Sequence, residues 1–269
     1  MKYRAALQAV LTALFLLLVG CTKSSPSETR NGPQTCLMAF FDLSASTGSN
    51  KGLPQESEKQ EIRGRYFTEF QRALEECRGG EAVVGEAITD NPLAEGTLPI
   101  DDVLPRFNPL TINRDDFEAS LSEAIQHIES KVRLLLNRQP TKHTDIFTSL
   151  LLAEKVLNGE RFGKAPNKVL ILFSDMRQDS PAYNFDRMTL TERRAQQILD
   201  ELKAKGQLPN LSGVKVWVAG AGVSQDAPAS VDKLLEIQKF WMKYFEACGA
   251  QLTAERYGPT LMNFRLDEK

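Results

Sequence analysis

The sequence predicts an α/β fold, a doubly wound and mostly parallel central sheet flanked by helices. Two short apolar runs, 36–42 (CLMAFFD) and 169–175 (VLILFSD), each end on Asp and read as strands buried on both faces. Between and after them lie longer stretches with helical spacing, and strands that alternate with helices imply parallel pairing through crossovers. The 269 residues are 42% hydrophobic, enough for one full core after roughly thirty N-terminal residues are set aside.

The elements follow in order. After strand 36–42, a loop with Gly48, Gly52 and Pro54 leads to a helix near 56–78, where Ile62, Tyr66, Phe70 and Leu74 recur every four residues. Gly79-Gly80 suits its C-terminal end. Residues 82–88 (AVVGEAI) read as a strand, and 97–104, carrying Pro99, as a short edge strand with room for antiparallel pairing. A helix at 114–136 places Phe117, Leu121, Ile125, Ile128 and Val132 on one stripe, and 145–157 continues helical spacing through Ile146, Leu150 and Ala153. The second half repeats the alternation: strand 169–175, a helix near 188–205, strand 214–222 (VKVWVAGAG), and a last helix at about 228–248. That helix carries Val231, Leu234, Leu235, Gln238, Trp241, Phe245 and Cys248 at helical spacing, its aromatics read as core.

The N-terminus reads as an address. Lys2 and Arg4 precede an apolar stretch, Ala5 to Val19, too short at fifteen residues for the ~20 that span a bilayer. Leu18-Val19-Gly20-Cys21 resembles a bacterial lipobox, which implies a signal peptide over 1–20 and a lipidated Cys21 as mature N-terminus. Two or more acyl chains then hold the protein stably at a membrane. Thr22 lacks the aspartate that resembles an inner-membrane retention signal, so the outer membrane is expected where two membranes exist. Residues 21–35 are polar and rich in Ser, Pro and Gly, as a flexible tether is. The folded domain is expected over 36–250, with 251–269 as a C-terminal tail.

Export would permit a disulfide. Cys36 and Cys77 fall at the same pole of the expected sheet and form the candidate pair, with Cys248 as competing partner. A net charge of −2 and the absence of a basic stripe with interleaved aromatics leave no case for nucleic acid.

Ligands of doubly wound sheets bind at the carboxyl ends of the strands. Three segments with small oxygen ligands fall there: Asp42-Leu43-Ser44-Ala45-Ser46, Thr144-Asp145 and Ser174-Asp175. One carboxylate with hydroxyls suits a hard cation such as Mg²⁺ in a partly open site. The competing reading is that Asp42 and the serines only cap a turn. Together the segments resemble the von Willebrand factor A domain and its metal-ion-dependent adhesion site. Its DxSxS motif is matched by Asp42, Ser44 and Ser46, its distant threonine by Thr144, and its later aspartate by Asp175. The resemblance implies a Rossmann-like von Willebrand A fold over nearly the whole mature chain. It further implies a bound Mg²⁺ or Mn²⁺, direct ligation through Ser44, Ser46 and Thr144, and roles for Asp42 and Asp175 through metal-bound waters or hydrogen bonds. The partner would be a protein offering an acidic side chain. Thr144 follows His143, and Asp175 precedes Met176, where the family usually has glycine; neither change removes a ligand oxygen.

Neighbouring candidates read differently. His143 is an exposed residue before a helix start, with a further ligand as its second reading, and Asp145 is a charge favoured by the helix dipole. Asp101-Asp102 and Asp115-Asp116 read as solvated charges and not as a second metal site. An enzyme is not expected. Haloacid-dehalogenase phosphatases resemble DxDxT after a first strand, but here Ser44 stands where the second, proton-transferring carboxylate is needed. The chain has no GxSxG elbow or Walker-type loop, and its two histidines are His127 and His143. Two alternatives to metal-dependent binding remain: a metal-independent envelope scaffold or receptor on the same fold, and a metal-dependent hydrolase.

Overall fold

A computed structural model describes residues 32–44, 56–89, 98–223 and 229–267. Six strands form one sheet in the order β3-β2-β1-β4-β5-β6, where β1 is Thr35–Asp42, β2 Ala82–Ile88, β3 Ile100–Val103, β4 Asn167–Phe173, β5 Val214–Ala219 and β6 Tyr257–Gly258. Every pairing is parallel except β2 with β3. The α/β doubly wound fold expected from the sequence is the one observed, including its antiparallel edge strand.

β1 is buried along its whole length, which is why its sequence shows no polar alternation. Its side chains divide between two layers. Cys36, Met38 and Phe40 face the layer covered by α3 (Ile146–Leu157), α4 (Glu192–Ala204) and α5 (Val231–Ala247). Leu37, Ala39 and Phe41 face α1 (Glu56–Glu75) and α2 (Arg114–Leu136). On that second face the Phe41 and Phe173 rings stack at 4.9 Å, with Phe70 edge-on to Phe41 at 5.4 Å. Caps fix where the helices begin: Asn113, Asp145, Thr191 and Ser230 each accept a hydrogen bond from the backbone N–H three residues on. With these caps α4 starts four residues, and α5 three residues, later than the apolar spacing alone suggests.

Three expectations change. The Cys36–Cys77 bridge is absent: both are free thiols, buried in opposite layers because Cys36 points to the α3–α5 side and Cys77 packs on the α1–α2 side. The buried face of α5 is Ile237, Phe240, Trp241, Tyr244 and Phe245, while Val231 and Leu235 are exposed. Residues 251–267, read as a tail, carry β6 and bury Leu261, Phe264 and Leu266 in the α1–α2 layer. Glu69 on α1 accepts a 2.8 Å bond from Leu261 N, and Asn167 donates a 2.8 Å bond to Leu266 O.

Phe264 packs edge-on against Trp217 at 5.1 Å. Phe264→Ala is therefore expected to lower unfolding free energy by about 3–5 kcal/mol in urea titrations, as a core truncation does and a change in a loose tail does not.

Candidate functional site

Both central strands end in the same local device at the carboxyl edge of the sheet. At the end of β1, Asp42 Oδ1 accepts the Ser44 N–H at 2.9 Å. Just past β4, Asp175 Oδ1 accepts the Arg177 N–H at 3.0 Å. These are turns closed by an Asp side chain bonding the backbone two residues on. The turn-capping reading of Asp42 is thus correct as geometry, and it leaves the carboxylate buried at the edge. Ser174 joins the two turns: its Oγ donates to Asp42 Oδ2 at 2.7 Å and accepts from Met176 N at 2.9 Å.

The third segment is drawn in by short backbone bridges. Thr141 N donates to Leu43 O at 3.2 Å, and Thr144 exchanges both backbone bonds with Asp179, at 3.0 and 2.9 Å. Gln178, almost fully buried, accepts Ile146 N at 2.8 Å at the start of α3 and donates to the capping Asp145 at 3.0 Å. Asp42, Ser44, Thr144 and Asp175 are all buried, on segments tied to one another in this way. Ser46 and Cys21 lie outside the described residues. His143 stays half-exposed, with Nδ1 at 3.2 Å from Asp179 Oδ2. Asp101 pairs with Arg161 and Asp102 with Lys131, as solvated or half-buried charges.

Space at the edge is tight. Gly220, directly after β5, has φ +103°, and a Cβ there would lie 2.8 Å from the Tyr66 ring and 3.0 Å from Ser174 O. Met176 also has positive φ, +65°, with a side chain that gains nothing from that conformation. The turn is held from outside, since Trp241 Nε1 on α5 donates to Met176 O at 2.8 Å.

Electrostatically the edge is a buried pair of acids. Burial pushes the Asp175 carboxyl up to about 8, with the Asp42 charge as second cause, against the opposing Arg177 N–H bond. Burial also raises Asp42, opposed by hydrogen bonds from Ser44 and Ser174 and by the Arg63 guanidinium. Arg63 donates to the carbonyls of Leu136 and Arg138 at 2.7 and 3.0 Å and reaches Leu43 O at 3.4 Å, so it ties the loop after α2 to the end of β1. Asp175 Oδ2 is buried with no hydrogen-bond partner, as is the Tyr66 hydroxyl.

Such a set can hold a hard cation. An orphaned carboxylate oxygen, a second buried acid and two small hydroxyl residues on adjoining segments fit an ion of the Mg²⁺ class. Among the described residues no three His, Cys, Asp or Glu side chains gather as a metal cluster, so hydroxyls would have to complete the coordination. Sequence reasoning passed over Arg63, Arg177 and Gln178. Each is a polar residue that a residue-by-residue reading places on a surface, and only burial reveals the role.

No family model matches the sequence, and no curated protein matches it. Among solved structures, the PilB minor pilin from Streptococcus sanguinis matches at 14% identity and TM-score 0.41, over 81% of this chain and 62% of that one. A von Willebrand factor type A protein from Catenulispora acidiphila matches at 13% and 0.35, over 81% and 43%. The pilus adhesin SpaC from Lactobacillus rhamnosus GG matches at 13% and 0.40, over 84% and 28%. This chain spans less than two thirds of each of these structures, and values this low identify no family.

The acid pair gives the metal-free protein a pH signature. A carboxyl raised in the folded state keeps a proton that the unfolded chain has already lost, so stability is greatest below the ordinary carboxylate range and falls as pH rises through about 8. In EDTA, wild-type stability is expected to decline from pH 5 to pH 8.5, and Asp175→Asn to flatten that decline in denaturant titrations. Equal slopes would exclude the pair as its cause.

Proposed function

We propose that this chain is a lipid-anchored protein of a bacterial cell envelope that binds another protein through a divalent cation held by Asp42, Ser44, Ser46, Thr144 and Asp175. The observation that carries the reading is the buried acid pair: Asp42 ends β1, Asp175 lies two residues past the end of the neighbouring β4, near enough to feel the Asp42 charge, and Asp175 Oδ2 has no hydrogen-bond donor. Two dry carboxylates oppose each other unless a proton or a cation offsets their charge. Mg²⁺ or Mn²⁺ meets that need with few direct carboxylates, and when bound it supplies an open coordination position for an oxygen of the partner.

The chain's own residues divide the remaining work. Ser44 and Thr144 present hydroxyl-bearing side chains on backbones fixed by the Asp42 turn and by the Asp179 bridge. Ser174 orients Asp42, and Arg63 holds the end of β1 against the loop after α2. An acidic side chain on the partner is the chemistry this site favours. Cys21, carrying the lipid, would place the site outside the cytoplasmic membrane, with the outer membrane favoured where two are present. Among the described residues no helix is long and apolar enough to cross a membrane, and the proposed attachment does not require one.

Thermal unfolding of the full chain in detergent tests the metal. MgCl₂ is expected to stabilise wild type by about 2.7 kcal/mol at a hundredfold excess over its Kd, and to leave Asp42→Ala unmoved. Identical curves for the two proteins would sink the proposal, while capture of a partner from envelope extracts that is lost in EDTA would extend it. Fractionation tests the anchor: Cys21→Ala is expected to leave the membrane pellet, and unchanged sedimentation would remove the lipid from the argument.

A further inference from the structure

Arg177 stands out among the buried polar groups. Its side chain is only 6% exposed, yet its Nε has no hydrogen-bond partner. Facing it at 3.8 Å is Asp175 Oδ2, equally buried and equally unpartnered. An N–H···O bond forms at about 2.7–3.2 Å, so the two orphaned atoms are roughly 1 Å from satisfying each other. At the other end of the guanidinium, Nη1 lies 3.3 Å from Oδ1 of Asp186, whose side chain is 49% exposed. The cation thus sits between one dry carboxylate and one wet one, and is closed upon neither.

The two partners are unequal. Attraction to Asp175 acts in a low-dielectric interior, whereas water screens the pull of Asp186. The backbone is already committed, because Arg177 N is bonded to Asp175 Oδ1, Trp241 holds Met176 O, and Gln178 is bonded to the start of α3. Only side-chain torsions separate an inward from an outward guanidinium. A cation on Asp175 makes the inward position repulsive and leaves Asp186 as the remaining partner.

We propose that Arg177 is a resident competitor for the metal site: its guanidinium stands beside Asp175 as the counter-cation of the ionised carboxylate when no metal is bound, and a divalent cation, which binds that same ionised form, must displace it outward to Asp186. This deepens the metal-binding reading above and rests on it. Two consequences follow. The site binds its ion more weakly than its donor set alone would, and occupancy is transmitted to the surface segment around Asp186, which lines one groove with Arg187 and Met188.

Calorimetric titration of the full chain with MgCl₂, at constant ionic strength, reads the competition. Arg177→Gln is expected to bind Mg²⁺ about tenfold more tightly than wild type, within the usual range of coupling between sites. Asp186→Asn removes the outward resting place and is expected to bind about threefold more weakly by the same coupling. A merely structural arginine would lower stability equally with and without metal, whereas here the stability deficit of Arg177→Gln in EDTA should close at saturating MgCl₂. Wild-type binding with unchanged or weaker affinity in Arg177→Gln overturns the competitor and spares the metal site. Absence of binding in all three proteins overturns both, and binding by Arg177→Gln alone supports a competitor that wins outright. If Arg177→Gln does not fold, the exposed Asp186→Asn decides: unchanged affinity there rejects the exchange.

Discussion

The hydrogen bond from Ser174 Oγ to Asp42 Oδ2 joins the ends of the two central strands, and the geometry of the whole carboxyl edge depends on it. Ser44 and Ser174 each donate to one of the two oxygens of buried Asp42, and Ser174 is in turn fixed by the Met176 N–H. With those positions set, the chain must turn sharply after β4, which places Met176 at φ +65° and aims Arg177 back toward Asp175. The turn at Met176 is held from a distance by Trp241 on α5.

That arrangement concentrates cost where a core would normally reduce it. Residues 174–178 are buried without a break although four of the five are polar. Burying so many polar groups is tolerable only when nearly all are bonded, and the exceptions at Asp175 and Arg177 are therefore conspicuous.

Much of the scaffold was legible from the chain. Aliphatic runs marked β1 and β4, four-residue spacing marked α1, and 114–136 coincided with α2, because burial on both faces or on one face leaves a periodic trace. That Asp42 and Asp175 lie at the carboxyl edge followed from strand direction, whereas Thr144 precedes a helix and is tied in by its backbone bridge to Asp179. What escaped depended on contacts without periodicity. The turn of α5 that faces inward is chosen by aromatic packing around Phe147, Phe185 and Trp241, so Val231 and Leu235 fall outside. Cys36 and Cys77 share a pole but not a layer, and strand parity, not position along the sheet, decides whether two side chains can meet. Gln178 looks like any loop glutamine until its amide is found between Asp145 and the start of α3.

The described cysteines are free thiols, so no disulfide among them contributes to holding the fold. Burial pushes Cys36 and Cys248 up to about 12 and raises Cys77 as well, so the reactive thiolate is scarce in the native state. Because Cys36 and Cys248 lie in the layer of α3–α5 and Cys77 in that of α1–α2, each becomes reachable only when its own layer opens. The molecule carries internal clocks on both sides of its sheet: a small alkylating reagent would time the opening of one layer independently of the other, without any label being introduced.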